Sequence, residues 1–173
     1  NTVKEIKNNA LYGCPKLEKI VFEEGSQLEI IEDYAFGECI SLKTIDLPIS
    51  VQSVGTGILY QCNSLKEYKA PFLGLKREND IDNYAATDIL MKVFGNGDYK
   101  CSYYIPDSLE KVEIYDIEII HNVTFYEAKN IKTIILPKQL INMGIRSFYG
   151  CESLLEFEIP EGVETIKTSC FEN

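Results

Sequence analysis

Apolar residues recur along this chain in a fixed order that repeats about every 23 residues. In residues 31–48 an apolar residue is followed five positions later by an aromatic residue. Cys, Leu and Ile then follow at three-residue steps, and the segment closes on Leu and Pro. These positions are Ile31, Phe36, Cys39, Leu42, Ile45, Leu47 and Pro48. A repeat of this length predicts a solenoid, in which each copy forms one coil stacked on the next.

Six further segments carry all or part of the pattern. The first apolar positions of all seven segments are Ile6, Ile31, Val54, Ile89, Ile120, Met143 and Ile166. They lie 25, 23, 35, 31, 23 and 23 residues apart, so a base period of 23 carries insertions. We therefore predict a single repeat domain over residues 1–173, of about six full coils and a truncated one. Because the last copy stops before its strand, we expect a fragment of a longer array.

The end of each copy predicts a short strand. In the reference copy, Leu42, Ile45 and Leu47 give an apolar run suited to a strand of about five residues. Pro48 then ends the strand, because proline donates no backbone hydrogen bond. One coil cannot bury its apolar side alone, whereas stacked coils pair their strands roughly 4.8 Å apart. Residues 31–39 are predicted to close the other side as a short helical or 3₁₀ turn.

Two parts of the reference copy resemble a known family. The sequence AFxxCxSL runs from Ala35 to Leu42, and the sequence LxxIxLPxxVxxV from Leu42 to Val54. Both resemble the BspA-type leucine-rich repeats, and the resemblance covers nearly the whole chain. It implies a β-rich α/β leucine-rich-repeat solenoid, a right-handed coil with a short-stranded parallel sheet on one face. Members of that family are chiefly bacterial, and some protist, surface or secreted proteins implicated in adhesion, so the resemblance also implies a secreted or cell-surface location.

Charge narrows the classes of partner. The chain has 17 Lys and Arg against 27 Asp and Glu, a formal net charge of −10. Nucleic acids and anionic membrane surfaces require clustered basic residues, so this composition disfavours both. No apolar run approaches the roughly 18 residues of a membrane span, so we expect no membrane insertion by this segment. The resemblance implies a protein partner, a host extracellular protein or another cell surface.

Five of the six cysteines fall in repeat positions predicted to be buried. Cys14, Cys39, Cys62 and Cys151 share one position, which Ala128 fills in another copy. The position therefore suits a small apolar residue, and we predict a row of buried free thiols instead of disulfides. Cys170 falls in a second core position, occupied elsewhere by Ala10 and Ala35. Cys101 lies outside the repeat, and the sequence leaves its redox state open.

Candidate chemistry is sparse. The chain has no CxxC motif and no histidine near any cysteine, so we predict no metal site and no cofactor. The one histidine, His121, is predicted to lie on the surface. Without a recognisable motif we predict no catalytic residue, and an enzyme of unknown type is the last of three alternatives.

Residues 72–108 form the least repetitive part of the chain. Residues 76–83 are predicted to be a solvated loop, because the spacing of a calcium-binding loop is missing. Asp88 is predicted to cap a short helix that runs to Phe94 and ends at Gly95. The tyrosines that follow are candidates for binding a partner, or they cover the core of this enlarged coil. They are Tyr99, Tyr103 and Tyr104.

Residues on either side of the buried strand position should point out of the sheet. We call this set the sheet strip. It comprises Lys19, Val21, Thr44, Asp46, Glu67, Lys69, Lys111, Glu113, Thr133, Ile135, Glu156 and Glu158. Its three basic and five acidic residues sum to −2, and Val21 and Ile135 add apolar points, a mixture that suits a protein partner. A solvated surface without a partner, in a structural spacer that presents another domain, is the alternative.

Overall fold

The computed structural model describes residues 2–74, 89–95 and 105–172. Within these ranges the chain forms short parallel strands and one short helix. The elements are β1 (Glu5–Ile6), β2 (Ile30–Ile31), β3 (Thr44–Asp46), β4 (Ser53–Val54), β5 (Glu67–Ala70), α1 (Ile89–Phe94), β6 (Lys111–Ile114), β7 (Ile119–Ile120), β8 (Thr133–Ile135), β9 (Asn142–Met143) and β10 (Thr165–Ile166). Consecutive coils therefore stack as a parallel β-solenoid with little helix, which confirms the predicted fold class.

The main sheet follows the strand position of the repeat. Its strand order is β3-β5-β6-β8, and every pairing is parallel. The register aligns the buried residues Ile45, Tyr68, Val112 and Ile134 in one row. Single bridges extend this sheet to Lys19 at one end and Glu156 at the other. The strands have three or four residues, fewer than the predicted five, because the inward-facing Leu or Ala is followed by a proline in most coils.

A second column of strands was not predicted. The strands β1, β2 and β4 pair in one three-stranded sheet, and β7, β9 and β10 pair in another. Each has two residues, and the second is the first apolar position of a repeat. At the remaining repeat start, Ile89, the chain begins α1 instead of a strand. The second column is therefore divided where the enlarged coil inserts its helix.

The predicted helical turn over residues 31–39 is wrong. The segment is a run of tight turns in which Tyr34 and Glu38 adopt positive φ, 54° and 57°. Every second backbone amide points toward the following coil: the amides of Tyr34, Phe36 and Glu38 donate to its carbonyls at 2.6–3.0 Å. A helix would direct these amides along its own axis, so stacking of the coils overrides local helix formation.

The main sheet continues across the insertion. β5 pairs directly with β6, with Glu67 opposite Lys111, although the two strands are separated by about twice the usual number of residues. The helix packs on this sheet through Phe94, whose ring meets that of Tyr68 edge-on at 5.7 Å between centroids. The larger strand residue Tyr68 thus contacts the helix that enlarges the coil. Asp88, residues 76–83 and Cys101 lie outside the described residues.

The shared cysteine position is a row of thiols that bind the neighbouring coil. Cys39, Cys62 and Cys151 are buried free thiols, as predicted. Each Sγ donates to a carbonyl of the preceding coil, at 3.2 Å to Leu11, 3.3 Å to Phe36 and 3.2 Å to Phe125. The position therefore favours cysteine for a hydrogen bond as well as for small size. Cys14, in the first coil, is only half-buried.

These thiols should be unreactive in the folded chain. Burial raises the pKa of Cys62 and of Cys151 to about 12, and the thiolate is the nucleophilic form. We expect Ellman's reagent at about pH 8 to leave both unmodified in the native state and to modify both in urea, with peptide mapping to assign each site. Half-buried Cys14 is the internal control and should react before Cys62 and Cys151. Rapid native-state labelling of Cys62 would contradict the packing.

The raised pKa of Cys62 also predicts how alkaline pH changes the stability of the fold. Because the folded pKa of Cys62 lies above its ordinary value of 9.0, the neutral thiol stabilises the fold fully below that pH. This contribution is lost as the pH rises from 9 toward 12. Urea melts across this range should show stability falling with pH.

Candidate functional site

The sheet strip forms two files of side chains along the outer face of the main sheet. The first file is Lys19, Thr44, Glu67, Lys111, Thr133 and Glu156, which strand register and the two bridges place side by side. The second file is Asp46, Lys69, Glu113 and Ile135 by strand register, and the repeat pattern adds Val21 at one end and Glu158 at the other. None of these twelve residues is buried, whereas the strand residues between the files in β3, β5, β6 and β8 are. The stacking thus assembles one continuous surface from residues far apart in the sequence.

Four charged residues at the centre of the sheet strip are arranged in two opposed pairs. Lys69 Nζ lies 2.9 Å from Glu113 Oε2, and Lys111 Nζ lies 4.0 Å from Glu67 Oε2. The hydrogen bond to Glu113 raises the pKa of Lys69. Solvent-accessible pairs of this kind contribute little to stability. The four residues, which we call the central quartet, can therefore exchange their mutual contacts for those of a partner at small cost.

Apolar side chains flank the central quartet on both sides. Val21 is 70% exposed near one end of the sheet strip, and Ile135 is 41% exposed on the other side. Beyond Ile135 come the exposed carboxylates of Glu156 and Glu158, and Leu155, the residue before Glu156, is 81% exposed. Protein interfaces combine apolar contacts with a polar, charged rim in this way.

A row of tyrosines was not predicted. It lies on the turn side of the coils, the side formed by the tight turns equivalent to residues 31–39. Tyr12, Tyr60, Tyr126 and Tyr149 each directly follow the aromatic position of the repeat, a regularity that the sequence could have revealed. The rings of Tyr126 and Tyr149 stack at 5.0 Å. Tyr12 donates a hydrogen bond to the Glu38 carboxylate, which raises the pKa of Tyr12 to about 12. These tyrosines link neighbouring coils, whereas the predicted Tyr99, Tyr103 and Tyr104 lie outside the described residues.

Three further features would bear on function: a titratable histidine, a metal-binding group and a membrane-spanning helix. His121 is half-buried, and burial lowers its pKa below the ordinary value. No three His, Cys, Asp or Glu side chains within residues 2–74, 89–95 and 105–172 are grouped so that they could hold a metal ion. Over the same ranges, no helix has the length and apolar character needed to cross a membrane.

Comparison with known proteins identifies the family. The family model of the BspA type leucine rich repeat region matches residues 1–85 and 98–173, in six copies. The chain belongs to the BspA-type leucine-rich-repeat family. None of the curated proteins with which it was compared matches it significantly.

Solved structures of leucine-rich-repeat proteins resemble this BspA-type chain in fold. One from Bacteroides ovatus is 25% identical with a TM-score of 0.54, and the likeness covers 93% of this chain and 42% of that protein. The leucine rich repeat protein of T. pallidum is 22% identical with a TM-score of 0.53, over 89% of this chain and 72% of the other. This chain thus spans about two fifths of the B. ovatus protein. Membership of the family supports a protein-interaction or repeat module, and the repeat fold suggests a non-enzymatic one.

Proposed function

We propose that this chain is an adhesion or protein-interaction module of a bacterial cell-surface or secreted protein, and that it binds another protein through the sheet strip. The observation that carries the proposal is the register of the two files across β3, β5, β6 and β8, with none of the twelve residues of the sheet strip buried. Parallel strands in register present side chains at fixed spacing, so the surface is formed before a partner arrives. A preformed surface loses little entropy on binding.

The composition of the sheet strip supports a protein partner over other classes. Its charges are mixed and sum to −2, and Val21 and Ile135 offer apolar contacts within the same surface. A polyanion would meet repulsion here, because the whole chain carries a net charge of −10. The cell-surface or secreted location rests on membership of the BspA-type family.

A capture experiment tests this function. The folded chain is passed over immobilised extracellular-matrix and plasma proteins at physiological salt, alongside a variant with the central quartet Glu67, Lys69, Lys111 and Glu113 changed to Ala. We expect saturable binding to at least one protein, weakened about tenfold or more in the variant, because the substitutions remove the centre of the contact surface. A second variant, with Tyr99, Tyr103 and Tyr104 changed to Ala, measures the contribution of the tyrosines predicted in the insertion.

The control removes one exposed ion pair from the turn side. Lys129 Nζ and Glu152 Oε1 lie 3.1 Å apart, and each residue precedes the first sheet-strip residue of its coil by four positions. A Lys129→Ala, Glu152→Ala variant should bind as the parent does. Equal binding by the parent and the quartet variant would exclude the centre of the sheet strip. The absence of any binding by a folded parent chain would favour the spacer.

A further inference from the structure

A groove opens between the first two coils, at one corner of the main sheet. We call it the corner groove; residues 19–26 and 44–49, with Glu67, Lys69 and Tyr115, line its volume of about 610 Å³. Within the main sheet, pairing between the first two coils ends at the bridge from Lys19 to Thr44, whereas β3 continues on its other side to pair Asp46 with Lys69. Beyond the bridge the first coil thus separates from the second.

The sequence accounts for this separation. The first repeat is two residues longer than the base period, and the extra length lies between Phe22 and Ile31. Glu23 stands where four other copies carry proline, and Gly25 adopts a φ of +73° in the turn that follows. Tyr115 replaces the same proline in the enlarged coil and also lines the groove. The corner groove therefore forms where the first repeat has two extra residues and lacks the proline that ends the strand in four other copies.

The surface of the corner groove combines apolar side chains with a negative rim. Val21 is 70% exposed and Ile49 is 54% exposed. Of the charged lining residues, Lys69 is paired with Glu113 at 2.9 Å. Glu23, Glu24 and Asp46 form no ion pair among the described residues, and Lys19 is the one other lysine of the lining. The rim thus presents an uncompensated negative charge beside an apolar surface.

We propose that the corner groove binds an extended segment of a partner protein in which apolar side chains alternate with Lys or Arg. The apolar side chains would contact Val21 and Ile49, and the basic side chains would face the carboxylates of the rim. Beyond the bridge, Ile45 and Asp46 of β3 have no strand pairing with the first coil, so an extended segment can lie along this edge. This proposal rests on the proposed function and assigns a class of partner to one end of the sheet strip.

A short fluorescein-labelled peptide of alternating lysine and valine provides the test, measured by fluorescence anisotropy. We expect saturable binding that weakens about tenfold in a Glu23→Lys, Glu24→Lys variant and in Val21→Ser, and that weakens with added salt. A peptide with glutamate in place of lysine, and one with serine in place of valine, should both fail to bind. Each would remove one of the two kinds of contact.

The matched control changes the same charges in another coil. A Glu161→Lys, Glu164→Lys variant alters the corresponding turn of the last full repeat, where both residues are exposed, and should bind the peptide as the parent does. Equal weakening by both double variants would show binding to overall charge and would overturn the proposal. Binding that is unchanged in Val21→Ser would also overturn it.

The capture experiment separates this proposal from the proposed function. If a matrix or plasma protein is captured through the central quartet while no peptide binds, the corner groove proposal is wrong and the proposed function stands. If the peptide binds as described but no protein is captured, the corner groove proposal is supported and the proposed function fails. Circular dichroism of each variant establishes that it is folded.

Discussion

Replacing Leu42 with Ala is expected to lower the free energy of unfolding by roughly 2–4 kcal/mol. Leu42 is fully buried in the core that runs through the stacked coils. Its neighbours are held in place by parallel strand pairing above and below, so the coil cannot collapse into the space left by the lost side chain. Urea melts monitored by circular dichroism measure the change.

Leu155 provides the matched control for this substitution. It is the same residue type in a later repeat but is 81% exposed, so Leu155→Ala should change the free energy of unfolding by no more than about 0.5 kcal/mol. A loss below about 1 kcal/mol for Leu42→Ala would contradict the assigned repeat register, because truncating a buried leucine in a rigid core lowers the free energy of unfolding by more than that.

Gly144→Ala is expected to destabilise the fold by roughly 1–3 kcal/mol, although it adds a single methyl group. A Cβ at this position would lie 2.4 Å from both the backbone N of Asn122 and the backbone C of His121. The coils are drawn together here because the Ile145 amide donates to Asn122 Oδ1 at 2.8 Å. The clash is with backbone, so relief requires the two coils to separate. Thermal or urea unfolding measures the loss.

The control for Gly144 lies one coil further on. Lys167 occupies the same repeat position and is exposed, so Lys167→Ala should be nearly neutral. Gly55 repeats the arrangement in the second and third coils, where a Cβ would meet the Asp33 backbone N at 2.4 Å and the Thr56 amide donates to Asp33 Oδ1. If Gly144→Ala and Gly55→Ala were both as stable as the parent, the close approach of these coils would be wrong.

The close approach of the coils at Gly55 and Gly144 has a counterpart in the sequence that was not predicted. Gly55 and Gly144 each follow an Asp or Asn by 22 residues, and both acidic or amide side chains accept a backbone amide from the later coil. The 22-residue interval is visible in the sequence. It does not by itself predict that glycine is required, because that depends on how closely the two backbones approach. The same holds for the cysteine row, where small size was predicted and the hydrogen bond to the preceding coil was not.

The corner groove and the second strand column have a similar cause. A difference of two residues in the first repeat is visible in the sequence, but whether it makes a bulge, a loop or an opening depends on which backbone pairs survive in three dimensions. The two-residue strands at the repeat starts are too short for any pattern to predict alone. They exist because the coil above and the coil below supply their hydrogen bonds.

The sequence by itself determined the repeat, the stacking and the two files of the sheet strip. These follow from the periodic placement of side chains such as Leu42 and Ile45, since only stacking can bury an apolar position that recurs every 23 residues. The tertiary structure alone decided the turn geometry of residues 31–39, the bonds of the thiols and the opening between the first two coils. Each depends on where the backbone of a neighbouring coil lies, and the pattern of apolar and polar positions does not specify this.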